Sequence, residues 1–155
     1  MTQDERANII VILLSLTIVF TILLIVMNYR SIKKLQQEYT DKRVQSLNRR
    51  GKIIMLSNLL ILIGFIVLNL SAVPEDIQRL IYLISVLIGF SELASGLFGL
   101  LASDLMLIGR LKWNQMRQVS NCFNWVIFIS LLLIVTSLIH YGLNAIRIMT
   151  SEVKI

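Results

Sequence analysis

Four stretches of mostly apolar residues run through this chain of 155 residues, and each is long enough to cross a bilayer as a helix, which takes about 20 such residues. They cover Ala7–Met27, Ile53–Val73, Leu80–Ile108 and Cys122–Ile146. Hydrophobic residues make up 56% of the chain and charged residues 15%. Soluble domains average about 45–50% hydrophobic residues and about 25% charged residues. The sequence therefore predicts an all-α integral membrane protein, in which residues 1–155 form a single four-span domain folded as a four-helix bundle.

Basic residues concentrate in two of the connections between the spans. The first connection, residues 28–52, holds eight of them: Arg30, Lys33, Lys34, Lys42, Arg43, Arg49, Arg50 and Lys52. The connection after the third span adds Arg110, Lys112 and Arg117. Because loops rich in lysine and arginine stay on the cytoplasmic side, both basic connections are expected in the cytoplasm and both termini outside. Bacterial inner (plasma) membranes share this bias with other membranes, and the chain is expected in the former.

The ends of the predicted helices follow from local residues. Neither proline nor glycine occurs between Met27 and Arg50, so the first span is expected to continue as a helix for about 30 Å or more into the cytoplasm. Gly51, directly after two arginines, predicts the end of that helix. Pro74, followed by two acidic residues, predicts the start of the third helix.

Small residues recur along the third span at spacings of three and four. They are Ser85, Gly89, Gly96, Gly99 and Ser103, and Glu92 falls in the same series. Small side chains allow two helix backbones to approach closely, and this kind of packing drives helix association in lipid. The series, called the seam below, predicts a non-enzymatic polytopic membrane protein that assembles through it, with itself as a homo-oligomer or as a subunit of a larger membrane complex.

Glu92 is expected near the middle of the bilayer, where an ionised carboxylate costs roughly 2.5–3.5 kcal/mol or more. Three environments fit it: a protonated acid hydrogen-bonded across a helix contact, a wet pathway for cations or protons, and a pairing with a basic group on a partner. The second environment gives an alternative function, an oligomeric ion or proton channel or a membrane-disrupting effector. Four further polar residues are candidates for a polar ladder with Glu92, two nearer the inner surface and two nearer the outer: Asn58 and Asp104, Asn69 and His140.

The basic connection gives a third hypothesis, a membrane anchor that holds a cytoplasmic protein on residues 30–50. Its positive charge is also expected to attract anionic lipid of the surrounding bilayer. Nucleic acid is not expected as a partner, because topology and lipid already explain the charge. The chain has one cysteine and one histidine, and it shows no phosphate-binding glycine loop and no nucleophile with a matching base. Neither an enzyme nor a metal or other cofactor is therefore expected.

Overall fold

The computed structural model describes residues 2–153, without the side chains of residues 151–153. This part of the chain consists of four α-helices and contains no strand. The helices are α1 (Gln3–Gln37), α2 (Asp41–Leu70), α3 (Glu75–Leu107) and α4 (Trp113–Val153). All four are long and apolar enough to cross a membrane. The predicted all-α chain with four candidate spans is therefore confirmed.

Short polar signals set where the helices begin. The side chain of Thr2 accepts a hydrogen bond from the backbone N–H of Glu5, and the Glu5 carboxylate accepts one from the backbone N–H of Thr2, which forms a capping box at the start of α1. Thr40 caps α2 by accepting a hydrogen bond from the backbone N–H of Arg43 on its side chain. Pro74 directly precedes α3, as predicted. Gly109, between α3 and α4, has a φ of 76°, a left-handed conformation that favours glycine and reverses the chain.

The connection between the first two helices differs from the expectation. The first helix was predicted to run unbroken to Arg50, but α1 ends at Gln37 and α2 begins at Asp41, so this expectation is wrong. The chain turns at residues 38–40, and the guanidinium of Arg43 donates to the backbone carbonyls of Lys34 and Glu38. A cation therefore satisfies carbonyl groups at the end of α1, where the helix dipole is negative.

Gly51 does not end a helix, contrary to the prediction. It lies inside α2 and is buried against α4. A Cβ placed on Gly51 would lie 3.6 Å from the carbonyl oxygen of Cys122 and 3.6 Å from a methyl carbon of Val126. Its small size lets the two helices come close, and its conformation is ordinary.

The helices are unevenly packed against one another. α3 contacts α4 most extensively and α1 next, α2 packs mainly on α4, and α1 and α2 meet only over a short segment. The end that holds the α1–α2 and α3–α4 connections is called the basic end, and the end that holds the α2–α3 connection is called the far end. An apolar cluster lies at each. The cluster at the basic end includes Ile32, Leu35, Val44, Leu47, Leu107, Val119 and Phe123. The one at the far end is built from Phe65, Leu68 and Tyr82.

The middle of the molecule, between these clusters, has a polar interior. The buried polar side chains there are those of Asn58, Ser91, Glu92, Ser95 and Ser130. Each of the four helices has an apolar exterior at this level, so the polarity is directed inward. This polar middle contains the acid that the sequence singled out.

Candidate functional site

The seam of α3 packs against α4 of the same chain. All of its small residues are buried: Ser85, Gly89, Gly96, Gly99 and Ser103. A Cβ on Gly89 would lie 2.6 Å from Cγ1 of Ile134, and one on Gly99 would collide with the ring of Phe123. Only glycine fits at these two positions unless the neighbouring side chains move. The seam therefore joins two helices within one chain.

A matching series on α4 faces the seam. Its buried members recur at spacings of three, four and seven, and they are Phe123, Val126, Ser130, Leu133, Ser137 and Asn144. The two helices are antiparallel: Gly99 faces Phe123, and Gly96, one turn earlier, faces Val126 one turn later. The same register brings Glu92 opposite Ser130. Sequence analysis did not identify this second series, although its spacing is readable in the sequence.

Glu92 lies at the centre of this interior. It is 17 residues after the start of α3 at Glu75 and 15 before its end at Leu107, and its side chain is 4% exposed. The side-chain amide of Asn58 on α2 donates to Oε2 of Glu92 over 2.7 Å. The hydroxyl of Ser130 on α4 lies beside the same carboxyl group. Glu92 thus connects three helices, and Asn58 contacts it directly although its position in the sequence placed it nearer the inner surface.

The side-chain amide of Asn58 has one buried oxygen that accepts no hydrogen bond from the residues described. Its side chain is fully buried, and its Nδ2 faces two acceptors, Glu92 and the backbone carbonyl of Ile129 at 3.5 Å. Both acceptors lie beside the nitrogen end of the amide. The other end, Oδ1, has no hydrogen-bond partner among the residues described. A buried acceptor without a donor is costly, which makes the surroundings of Asn58 the least satisfied polar part of this interior.

Asn58 and Glu92 lie at the floor of a groove between α1 and α2. The groove has a volume of about 470 Å³, and its walls are mostly apolar. Its lining comes from Leu13, Leu16, Thr17 and Phe20 of α1, Ile54, Ser57, Asn58 and Ile61 of α2, and Ile84, Leu87, Ile88, Ser91 and Glu92 of α3. This α1–α2 groove is about 10 Å long, since it follows each helix for about two turns. Apolar walls around a few polar groups are typical of a binding site.

The groove exists because α1 is attached to the other helices along one side. Polar bonds join it to α3: the hydroxyl of Thr21 donates to Oγ of Ser91 over 2.9 Å, and Nδ2 of Asn28 donates to the carbonyl oxygen of Ser95 over 2.9 Å. Toward α2, α1 makes contact at the basic end, where Arg50 donates to the side chain of Asn28 over 3.2 Å. Between this tie and the far end, the two helices leave the floor of the groove open on one side.

The other residues of the predicted polar ladder lie apart from Glu92. Asp104 and Asn69 are exposed, and Oδ1 of Asn69 accepts a hydrogen bond from the hydroxyl of Tyr82 over 3.1 Å. His140 is half-buried at the far end, where its ring packs at 5.4 Å from the ring of Tyr82. Nδ1 of His140 lies 2.8 Å from a carbonyl oxygen of its own helix. Of the four ladder candidates, the structure therefore brings Asn58 alone to Glu92.

The basic connection divides into buried and exposed cations. Arg50 is half-buried and bonds Asn28 and Ser31 of α1, and Arg43 caps α1. The remaining six are exposed: Arg30, Lys33, Lys34, Lys42, Arg49 and Lys52. Sequence analysis grouped all eight as one surface, whereas two of them hold the helix ends together.

Comparisons with known proteins add no further information about the site. The chain matches no family model, no curated protein and no solved structure.

Proposed function

We propose that the chain is a non-enzymatic membrane protein that works by assembly, and that it receives a transmembrane helix of a partner in the α1–α2 groove. The observation that carries this proposal is the polar floor of the groove, where Oδ1 of Asn58 is buried and unpaired among the described residues next to Glu92. Packing and interhelical hydrogen bonds drive helix association in lipid, and the groove offers both.

The arrangement of the rims supports a helix as the occupant. Leu16 and Phe20 on α1 are 61% and 41% exposed although they line the groove, whereas Asn58 is fully buried below them. A partner helix would cover these rims along two turns while its side chains fill the space between them. The seam of α3 is already filled by α4, so it is not the assembly surface in this proposal.

The proposal includes an orientation. The four helices form a membrane bundle whose basic end faces the cytoplasm, with both termini outside, as in a bacterial inner membrane. The exposed lysines of the α1–α2 connection support this orientation. Single cysteines at Gln3 and Lys34, introduced after Cys122→Ala, test it through labelling of intact cells with a membrane-impermeant thiol reagent. Labelling at position 34 from outside would reverse the orientation.

Photocrosslinking from matched positions tests the assembly itself. A diazirine side chain is placed at Ile61, in the wall of the groove, or at Ile63, which is 56% exposed, outside the groove and at nearly the same depth. In membranes of cells that produce the full chain, position 61 is expected to capture one discrete transmembrane polypeptide and position 63 to capture lipid. Thr17→Trp, which fills the groove, is expected to abolish the first product. Identical products at both positions would contradict the proposal.

A second candidate function is supported by the buried acid itself. Glu92 is the one carboxylate in the described polar middle, and it borders a cavity that is open on one side. An acid in this place suits an ion or proton pathway through an oligomer. Liposome flux with the wild type and Glu92→Gln tests it: conduction that depends on the carboxylate supports the pathway, and equal flux, or none, excludes it.

A further inference from the structure

The floor of the α1–α2 groove has more hydrogen-bond acceptors than donors. Glu92 contributes a carboxyl group, and Asn58 contributes an Oδ1 that has no partner among the residues described. The amide nitrogen of Asn58 is already used on Glu92. A group that completes this floor must therefore bring donors and need no acceptor.

An ammonium group fits this requirement best. A lysine ammonium carries three N–H donors and no acceptor, whereas a serine or threonine hydroxyl carries one donor. One N–H can reach a carboxylate oxygen of Glu92, whose side chain lines the groove. The positive charge also compensates the carboxylate, which is otherwise costly in a membrane interior.

The depth of the floor selects a long side chain. The rim residue Leu16 is 61% exposed, whereas Glu92 is 4% exposed, so a helix lying on the rims has to reach down to the acid. Lysine has a flexible stem of four carbons, and this stem can lie along the apolar walls formed by Ile61 and Ile88.

A second copy of this chain cannot supply that lysine. The apolar runs of this chain contain neither lysine nor arginine. They extend over residues 7–29, 53–78, 80–109 and 118–146. Its cations occur only outside those runs, so a helix of a second copy that spans the same bilayer has none at the level of Glu92. The complementary charge has to come from a different polypeptide.

We infer that the helix received by the α1–α2 groove belongs to a different protein and carries a lysine at the depth of Glu92, where its ammonium group contacts the carboxylate of Glu92. This inference rests on the proposed assembly and specifies the chemistry of the partner.

Three synthetic helices test the inference. They are Leu/Ala transmembrane peptides that are identical except at the central residue, which is lysine, trimethyllysine or norleucine. Energy transfer from each labelled peptide to the labelled full chain is measured in phosphatidylcholine vesicles. The lysine peptide is expected to associate about tenfold more strongly than the norleucine peptide. Trimethyllysine keeps the charge but has no N–H donor, so it is expected to lose most of this advantage.

Variants of the chain assign the effect to the floor. Glu92→Gln keeps the shape and an oxygen that can accept from Asn58, and it is expected to reduce binding of the lysine peptide to the level of the norleucine peptide. Asn69→Leu changes an exposed polar residue at the far end and is expected to leave the tenfold preference intact. Circular dichroism of each variant establishes that the helices are retained.

The outcomes separate this inference from the proposed function. If the lysine and norleucine peptides bind equally and Thr17→Trp blocks both, the groove still receives a helix. The inference that this helix carries a lysine is then overturned. If no peptide binds, both proposals fail. If free decylamine occupies the groove without a peptide and displaces the lysine peptide, the ligand is a small amine dissolved in the lipid, and the helical partner is overturned. An unchanged lysine preference in Glu92→Gln would also overturn the inference.

Discussion

The side-chain amide of Asn58 donates to Oε2 of Glu92 over 2.7 Å, and this bond connects two helices, α2 and α3, whose backbones are not close neighbours. Both helices pack on α4, which lies between them. The two bonded side chains therefore form the floor of the α1–α2 groove. Their bond also places a directional polar contact in the interior between the two helices.

Replacement of Asn58 by leucine is expected to destabilise the protein by about 1–3 kcal/mol, because Glu92 then loses its donor while it stays buried. The free energy of unfolding, measured by titration of detergent-solubilised protein with sodium dodecyl sulfate, checks this value. Asn48→Leu is the matched control, because Asn48 is exposed on the same helix, and its effect is expected to stay within about 0.5 kcal/mol. The double variant Asn58→Leu/Glu92→Leu removes both partners and is expected to be more stable than Asn58→Leu. A double variant less stable than the single one would show that the bond does not account for the loss.

Gly99→Ala is expected to cost about 1–3 kcal/mol of stability, because the added methyl group collides with the ring of Phe123. Gly64→Ala is the control. Gly64 has nothing within 4 Å of an added Cβ, and alanine favours a helix over glycine by about 0.5–1 kcal/mol. The two substitutions should therefore shift the unfolding midpoint in opposite directions. Equal effects would mean that the α3–α4 contact is looser than the structure shows.

Arg50→Met is expected to loosen the basic end, because the guanidinium of Arg50 bonds both Asn28 and Ser31. Hydrogen bonds to a charged group contribute about 1.5–3 kcal/mol each when they are intact. Hydrogen exchange is expected to become faster at the end of α1, over residues 28–37. Arg49→Met, next in the chain but exposed, should leave that exchange unchanged. Similar exchange in both variants would exclude a tie through Arg50.

Tyr39 provides a prediction about pH. Burial raises the pKa of Tyr39, and the nearby carboxylate of Asp41 adds to this rise. Because the folded protein then favours the neutral phenol, the stability contributed by Tyr39 is fully present below the ordinary pKa of about 10 and is lost as the pH rises further. Ultraviolet absorbance of the phenolate, as the difference between wild type and Tyr39→Phe, should show titration above that ordinary value. Titration at or below it would contradict the packing of the α1–α2 turn, where the hydroxyl of Tyr39 donates to Gln118 over 2.9 Å.

Anionic lipid is expected to concentrate around the basic end. Lys33 and Lys34 are exposed there, and each cation near an anionic leaflet contributes about 1 kcal/mol of attraction. Lys33→Gln/Lys34→Gln should reduce the amount of phosphatidylglycerol retained by the purified protein, as measured by native mass spectrometry. Arg6→Gln/Arg147→Gln removes the same charge near the far end and should have a smaller effect. Equal losses of retained lipid from both double variants would mean that the net charge of the protein, rather than the basic end, holds the lipid.

The sequence predicted the four helices because long apolar runs leave few alternatives to a helix in lipid. The break after Gln37 was not predicted, because neither proline nor glycine marks it in the sequence. The available signal was Thr40 followed by Asp41, a helix cap with an acid in the first turn, and this pattern is as informative as a glycine.

The floor of the groove was harder to predict. Glu92 stood out because an acid inside an apolar run is rare, but its contact with Asn58 depends on how far each helix is shifted along its neighbour. Depth counted from the ends of the spans does not give that shift. A series of buried residues on α4 does give part of it, since Ser130 lies opposite Glu92 only in one antiparallel register with the seam.

The way α1 is held has a consequence for bilayers of different thickness. Arg50 fastens α1 to α2 at one end through Asn28, and nothing described on α2 fastens it at the other. A thinner bilayer forces long apolar helices to tilt. We expect the part of α1 between its bond to Ser91 and the far end to shift relative to α2 as the helix tilts. This shift opens or narrows the groove and couples occupancy of the site to the lipids of the host membrane.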